Sequence, residues 1–186
     1  NINSGKLTYT PAANGNGNPY ASFTFQVQDD GGTLGGGIDL DPTPNTLTLN
    51  VTAVNDAPVG TNNTVTALED TAYTLTVADF GFTDTADSPA NALLNVKIAA
   101  LPGAGTLALS GVAVTAGQFV SAANIAAGNL KFTPVADASG TAYAAFTFQV
   151  QDNGGTANGG VDLDATPRTL TVNVTAVNDA PVTSVP

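Results

Sequence analysis

The chain of 186 residues contains no cysteine, histidine, methionine or tryptophan. Without histidine and cysteine it lacks the nucleophile and base pairs of the Ser-His-Asp and Cys-His hydrolases. The same absence removes the thiolate and imidazole ligands of zinc, haem and iron–sulfur sites, and it leaves no disulfide framework. The composition therefore argues against an enzyme, and it suits a protein exported without oxidative folding.

Basic residues are also scarce, with 4 lysines and arginines against 15 aspartates and glutamates and a formal net charge of −11. Such a chain repels nucleic acid and anionic membranes and attracts cations. The sequence also has no apolar run long enough to insert into a membrane. Its abundant oxygen side chains favour hard cations, calcium above all. Composition leaves open the alternative that the acidity serves only solubility.

One stretch of the sequence occurs twice, because residues 5–59 match residues 128–182 without a gap, 123 residues further along the chain. Repeats this close mark a tandem array, and arrays usually serve reach, display or multivalency. One full period predicts a complete repeat over residues 57–179. Residues 1–56 are then the second half of a preceding repeat, and residues 180–186 are a linker that begins the next one.

Half a repeat has too few strands to bury its own apolar residues. Residues 1–56 carry strands around Phe23–Val27 and Leu47–Ala53, and the apolar faces of these strands need the strands that open a repeat. We therefore expect that residues 1–56 are not folded alone. Either a neighbouring copy or the preceding piece of the same polypeptide supplies the missing strands, as in donor-strand complementation.

Apolar residues alternate with polar ones at a period of two, which is typical of antiparallel strands with one wet face. The alternating apolar sets are Tyr73, Leu75 and Val77; Leu94, Val96, Ile98 and Ala100; Phe146, Phe148 and Val150; and Leu170, Val172, Val174 and Ala176. Further strands are predicted over residues 106–110, 112–115, 118–120 and 130–134, with a short helical turn over residues 121–127 that Ser121 caps. Seven to nine short strands in about 120 residues predict an all-β Greek-key β-sandwich.

The predicted core takes one residue face from each of these strands. It comprises Phe80 or Phe82, Val96, Ile98, Leu107, Leu109, Leu130, Phe132, Phe146, Phe148, Leu170 and Val172.

Oxygen-bearing side chains gather near the junction Val54-Asn55-Asp56-Ala57-Pro58-Val59. Pro58 stiffens this crossing, and we expect the strand that follows it to return Glu69 and Asp70 toward the same end of the domain. A calcium ion takes 6–8 oxygen ligands, and several loops near one linker supply them here. The predicted metal ligands are Asn55, Asp56, Glu69, Asp70, Asp84, Asp87 and Asp152, with Asn178 and Asp179 at the next junction. The alternative is that Asn55 and Asp56 form a plain Asx turn before proline.

The junction Val-Thr-Ala-Val-Asn-Asp-Ala-Pro-Val resembles the calcium-binding linker between cadherin repeats, and Phe-Gln-Val-Gln-Asp-Asn-Gly-Gly resembles the Asp-x-Gly turn before their last hairpin. The whole chain is similar to the cadherin-like tandem repeats of giant bacterial RTX-type adhesins, which are secreted by type I systems. This resemblance implies a cadherin-like or Ig-like sandwich in a tandem array, with Ca²⁺ at the junctions. The linker has one aspartate rather than two, so the resemblance implies one or two ions per junction.

A second acidic pattern, Asp39 and Asp41, returns as Asp162 and Asp164 after a glycine-rich segment. Residues two apart face one side of an extended segment, so a second calcium site is one interpretation. A long solvated hairpin loop is the other. A calcium β-roll needs several such units stacked, and each period has one.

These patterns together predict a non-catalytic, extracellular segment of a bacterial surface adhesin or fibre, stiffened by calcium. Two alternatives remain open on the sequence. One is a subunit that self-assembles into a filament or sheath, with half-repeats completed by neighbouring chains. The other is a module that binds a glycan or a protein receptor.

Overall fold

The computed structural model describes residues 2–181, and the chain divides into two compact units between Val54 and Asn55. This division lies just before the predicted start of the complete repeat at Ala57. Most of the predicted linker, residues 182–186, lies outside the described residues. Within the described part of the chain, no helix has the length and apolar character that crossing a membrane requires.

The first unit is built on one antiparallel strand pair, β1 (Gly17–Phe25) and β2 (Asn45–Val51). Short 3-10 turns lie at Ile2–Ser4 and Leu34–Gly36. Gly35 has a left-handed φ of 72°, which glycine adopts without steric cost. The large apolar side chains of this strand pair are substantially exposed.

The second unit is a β-sandwich of two sheets. Its strands are β3 (Asn63–Leu68), β4 (Tyr73–Thr74), β5 (Leu93–Ala100), β6 (Thr106–Leu109), β7 (Val112–Ala113), β8 (Phe119–Ser121), β9 (Leu130–Thr133), β10 (Gly140–Asp152) and β11 (Arg168–Thr175). One sheet has the order β3-β11-β10-β5-β8, and the other has the order β4-β9-β6-β7. The predicted all-β sandwich is therefore confirmed.

Every strand pair of this unit is antiparallel except β3 with β11, which run side by side in the same direction. The register of that parallel pair extends from Asn63 opposite Leu170 to Leu68 opposite Thr175. The first and last long strands of the repeat are thus neighbours at one edge of the larger sheet.

The core lies between the two sheets and draws residues from both. Phe80 and Phe148 meet edge to face at its centre, with ring centroids 4.9 Å apart and an interplanar angle of 85°. The predicted core is confirmed, with Phe80 as the buried one of the two alternatives, except at Leu109, which packs against the core while partly exposed, as Phe82 does. The prediction missed other fully buried positions, among them Leu75, Val120, Ile125 and Val150.

Two of the predicted alternating strands end early or shift. Val77 begins a 3-10 helix, Val77–Phe80, because Asp79 accepts a hydrogen bond from the backbone N–H of Thr76 and closes a capping box. Leu94 is exposed, and Leu93 packs against the core instead. The register of β5 against β10 shifts between Gln151 and Asp152, so that Asp152 lies opposite Leu93 and not opposite Leu94. The first residues of β5 therefore exchange faces of the sheet, and Leu93 turns toward the core.

The predicted helical turn is confirmed as α1 (Ala122–Ala126). The Ser121 side chain accepts a hydrogen bond from the backbone N–H of Asn124 at 3.2 Å, as an N-cap does. Ile125, on the inner face of α1, is buried in the core.

Candidate functional site

Asn55 is built into the second unit by hydrogen bonds. Its Nδ2 donates to Asp152 Oδ1 at 3.1 Å and to the Val161 carbonyl at 2.7 Å, and its own carbonyl accepts from the Val161 N–H at 2.9 Å. Asn91 Nδ2 donates to Asn55 Oδ1 at 2.5 Å. The residue predicted to lie in a linker therefore belongs to the repeat that follows it.

Asp84, Asp87 and Asp152 are connected to this first segment of the repeat. We call Asn55, Asp56, Asp84, Asp87 and Asp152 the opening cluster. Asp87 Oδ2 accepts from the Asp56 N–H at 3.0 Å, and Asp84 Oδ2 accepts from the Asn91 N–H at 2.6 Å. The other oxygen of Asp84, Oδ1, is buried and has no hydrogen-bond partner among residues 2–181. An unpartnered buried carboxylate oxygen is costly, so Asp84 Oδ1 is a candidate acceptor for a further ligand.

Asp152 is fully buried within this cluster. Burial raises the pKa of Asp152, hydrogen bonds from Gly154 and Asn55 work against that rise, and the carboxylates of Asp84 and Asp162 add to it. The net direction is upward. Burial thus disfavours the charged form of Asp152 more than its hydrogen bonds favour it.

Gly154 lies against the opening cluster, and its lack of a side chain is required there. A Cβ at this position would overlap Asn55 Oδ1 and lie 2.6 Å from Asn91 Nδ2. We expect Gly154→Ala to displace Asn55 from Asp152 and to lower the free energy of unfolding of the second unit by about 1–3 kcal/mol, because a buried carboxylate loses a donor. Urea unfolding followed by NMR of the β10 amides measures this effect.

The matched control is Gly31→Ala, at the corresponding position of the first unit. Its Cβ would lie 3.2 Å from Asp29 Oδ1, which is tight but tolerable. We expect the second unit to unfold unchanged in this variant. If Gly31→Ala lowered the stability of the first unit as much as Gly154→Ala lowers that of the second, the loss at Gly154 would come from its backbone and not from Asn55.

Carboxylates also gather at the opposite end of the second unit, in what we call the closing cluster: Glu69, Asp70, Asp137 and Asp179. Oxygens of Glu69, Asp70 and Asp179 lie within 4.8 Å of one another. Glu69 is buried at the end of β3, where its N–H donates to the Thr175 carbonyl at 3.0 Å and its Oε1 accepts from the Val177 N–H at 2.6 Å. The parallel pairing of β3 with β11 therefore brings Glu69 to the chain segment that leaves the repeat.

Asp137 completes the closing cluster, and the sequence prediction missed it. Its N–H donates to Asp70 Oδ1 at 3.1 Å, and both residues have a left-handed φ, 57° for Asp137 and 59° for Asp70. The corresponding position of the first unit is Asn14, which is also left-handed at 56°. An oxygen side chain at this turn in both copies was the signal that the sequence offered.

Reduced hydration raises the pKa of Asp179, and the negative charges of Asp137, Asp70 and Glu69 raise it further. A hydrogen bond between the side chains of Asp179 and Asp137 acts in the same direction. These surroundings therefore favour a neutral Asp179 carboxyl, or a positive charge beside it, over a free Asp179 anion.

The structure divides the nine predicted ligands instead of collecting them around one linker. Asn55, Asp56, Asp84, Asp87 and Asp152 lie at one end, while Glu69, Asp70 and Asp179 lie at the other. The prediction that Glu69 and Asp70 return toward Asn55 within one repeat is wrong, because β3 runs away from Asn55 for roughly 20 Å. The ninth, Asn178, lies next to Asp179, and its Nδ2 donates to the Asp179 carbonyl at 3.1 Å.

The acidic pair of the glycine-rich segment has a structural role. Asp164 is buried, and its Oδ2 accepts from the Gly60 N–H at 2.9 Å and from Arg168 Nε at 2.8 Å. Burial alone would raise the pKa of Asp164, but hydrogen bonds from Arg168, Thr166 and Gly60 outweigh it and lower the pKa. Asp162 accepts separately from Gln151 Nε2 at 3.1 Å. The two carboxylates are thus committed to different partners.

The corresponding Asp39 and Asp41 of the first unit are bound in the same way. Asp39 Oδ2 accepts from Gln28 Nε2 at 2.8 Å, and Asp41 Oδ2 accepts from Asn45 Nδ2 at 2.7 Å. In both copies this segment is a loop held by side-chain hydrogen bonds, which favours the hairpin-loop interpretation over a second calcium site.

Residues 55–164, more than half of the chain, match the family model described as bacterial Ig domain. The chain belongs to this family. The match begins at Asn55, the residue that anchors the opening cluster. No curated protein and no solved structure matches the chain significantly.

Membership of the bacterial Ig domain family agrees with the all-β sandwich of the second unit. Bacterial Ig domains are generally non-enzymatic repeats exposed at the cell surface. In general terms, this chain is therefore an extracellular, non-catalytic Ig-like repeat.

Proposed function

We propose that this chain is an extender segment of a bacterial surface adhesin or fibre, in which calcium binds at the junctions between successive Ig domains and stiffens the array. The observation that carries the proposal is the placement of one short motif. Asn55-Asp56 belongs to the opening cluster, and its copy Asn178-Asp179 places Asp179 in the closing cluster.

A single Asn-Asp pair therefore contributes to both clusters wherever one complete repeat follows another. Through its aspartate it contacts the closing cluster of the repeat before it, as Asp179 does. Through its asparagine and backbone it joins the opening cluster of the repeat after it, as Asn55 and Asp56 do. The division of the predicted ligands between two ends of one repeat is thus compatible with one shared site per junction.

The donor chemistry of the two clusters fits calcium. Every candidate ligand is a carboxylate or amide oxygen, and hard cations with 6–8 oxygen ligands prefer such sets. In the opening cluster, Asp84 Oδ1 is buried and unpartnered among the described residues. In the closing cluster, the Glu69, Asp70 and Asp179 oxygens are close enough together to share one ion. When bound, the ion would supply positive charge that links the two ends.

Electrostatics explains why such a junction would respond to calcium. Carboxylates held within a few ångströms repel one another, which disfavours a close, ordered junction until a cation neutralises them. This repulsion contributes to the raised pKa of Asp179, because a proton on Asp179 removes one of the negative charges. Calcium would take the place of that proton, so binding would weaken as the pH falls toward the raised pKa of Asp179. Calcium is high outside cells and low within them, so the array would stiffen after export.

The test uses residues 55–179 followed by a second copy of residues 57–179, which keeps Asn55 in the first repeat and contains one complete junction. We expect calcium to bind by calorimetry and to stabilise the fold by about 2.7 kcal/mol at a hundredfold excess over its Kd. Small-angle scattering should show a longer and narrower distribution of interatomic distances with calcium than with a chelator. Asp179→Asn in the first repeat should weaken binding and abolish the change in scattering.

Asp79→Asn is the control, because it removes the same charge from a residue that caps a 3-10 helix and lies in neither cluster. It should leave calcium binding unchanged. Absence of binding heat, or scattering that is the same with calcium and chelator, would refute the calcium proposal. Growth of the scattering mass with concentration would instead favour the filament alternative.

A further inference from the structure

The β1–β2 pair of the first unit reproduces the β10–β11 pair of the second unit residue for residue. Gly17 lies opposite Val51 as Gly140 lies opposite Val174, and the register shifts at the same place in both pairs. Local contacts repeat as well. Tyr20 Oη accepts from the Ala12 N–H at 3.1 Å, and the corresponding bond joins Tyr143 to Val135 at 3.2 Å. The first unit therefore already has the backbone of a closing half, which we define as residues 128–179 and their copy, residues 5–56.

The two closing halves differ in what covers them. Phe25 is 39% exposed, whereas its copy Phe148 is fully buried, and Val27 is 60% exposed, whereas Val150 is fully buried. Beside β1 and β2, an apolar groove of about 430 Å³ is lined by Leu7, Thr8, Tyr9, Phe23, Leu47 and Leu49. The same side chains that fill the core of the second unit thus form an open apolar face in the first.

The second unit identifies what fits this face. There β5 pairs antiparallel with β10, and β3 pairs parallel with β11. Leu75, Phe80 and Leu107 then close the core from the other side. All of these residues belong to the opening half of the repeat, which we define as residues 57–127. An occupant that matches the β1–β2 face must supply one strand on each free edge and a second apolar layer.

The boundary between the two halves lies directly after helix α1. Ser121 caps this helix, and Ile125 within it is buried. The copy of Ile125 is Ile2, which is 75% exposed and lies in the 3-10 turn Ile2–Ser4. The first unit thus retains the last turn of the helix that, in the second unit, comes directly from the opening half. This continuity favours an occupant joined covalently ahead of Ile2.

A second copy of this chain is a poor occupant. The sequence contains two closing halves, residues 5–56 and 128–179, but one opening half, residues 57–127. A copy that lends its opening half exposes its own β10–β11 face, including Phe146 and Phe148. Exchange between copies therefore buries one β1–β2 face and exposes one β10–β11 face, so the total exposed apolar area stays the same.

We propose that the β1–β2 face is an interaction surface for an opening half with the sequence pattern of residues 57–123, joined in the same polypeptide directly ahead of the Ile2–Ser4 turn. The first unit becomes a complete Ig domain when this segment is present. The proposal does not depend on calcium, because it rests on apolar burial and strand pairing alone.

The experiment adds a second copy of residues 57–123 ahead of residue 1 of the full chain and measures amide hydrogen exchange with a calcium chelator present throughout. We expect protection of the β1 and β2 amides to rise roughly a hundredfold or more, toward that of β10 and β11. In the extended chain Phe25→Ala should lower this protection strongly, while in the original chain it should change protection little. The matched control carries an aspartate at the added copy of Ile98, which faces the core of the second unit, and should show no gain.

Unchanged protection of β1 and β2 in the extended chain would overturn the proposal, provided that β10 and β11 stay protected in the same sample. A separate polypeptide of residues 57–123, mixed with the original chain, tests the source of the occupant. Protection that appears only with this separate polypeptide would overturn covalent continuity. If protection instead rose with the concentration of the original chain alone, the occupant would be a second copy of this chain, and covalent continuity would again be overturned.

Discussion

Phe148→Ala should lower the free energy of unfolding of the second unit by about 3–5 kcal/mol, the range for removing a fully buried phenylalanine. The ring contacts Phe80 edge to face at 4.9 Å in the centre of the core. The variant therefore loses both the buried apolar area and the aromatic contact. Urea unfolding monitored at the β10 and β11 amides gives this free energy.

The chain carries its own control for this substitution. Phe25 has the same neighbours in sequence, in β1, but is 39% exposed. We expect Phe25→Ala to cost about 1 kcal/mol or less in the chain as it stands. Equal losses of unfolding free energy at the two positions would mean that Phe25 is buried in the first unit as Phe148 is in the second. The open apolar face would then be contradicted.

Asp164→Ala should have the second large effect, at about 3 kcal/mol. The carboxylate is buried and accepts from the Gly60 N–H, which is itself buried, so its removal leaves a buried donor without a partner. Because the pKa of Asp164 is lowered in the folded protein, its contribution is complete above the unfolded value of about 3.9 and is lost as the pH falls through the lower folded value.

The pH dependence separates this charge effect from simple loss of packing. Unfolding free energies measured from pH 7 down to pH 2 should fall more steeply below about pH 4 in the parent chain than in Asp164→Ala. Asp41→Ala, at the corresponding position of the first unit, should leave the acid dependence of the second unit as it is. Parallel curves for the parent and Asp164→Ala would contradict a lowered pKa for Asp164.

Much of the fold was predictable from local pattern. The two-residue alternation located β10 and β11, and the Ser121 cap located α1, because those segments follow intrinsic preference. The prediction was wrong at Val77 and Leu94, where a capping box and a shift of register override the alternation. Both depend on partners distant from the pattern itself, so a window of apolar residues does not reveal them.

The candidate ligands were predictable by residue type but not by position. Asparagine and aspartate at a proline-stiffened junction predicted oxygen ligands for calcium, and the repeat showed that the motif recurs. Their division between two ends depends on the direction in which β3 pairs with β11, and parallel pairing is invisible in the sequence of either strand. Asn91 was missed because a lone asparagine in a loop of small residues carries no signal of the bond it makes to Asn55.

The parallel pairing of β3 with β11 also has a mechanical consequence. In the second unit the chain enters beside the start of β3 and leaves beyond the end of β11, at opposite ends of the same strand pair. A pulling force transmitted along the array therefore slides these two strands past each other. Their hydrogen bonds, from Asn63 with Leu170 to Leu68 with Thr175, bear that load together as a shear, whereas the bonds of a hairpin pulled at its open end would break one after another.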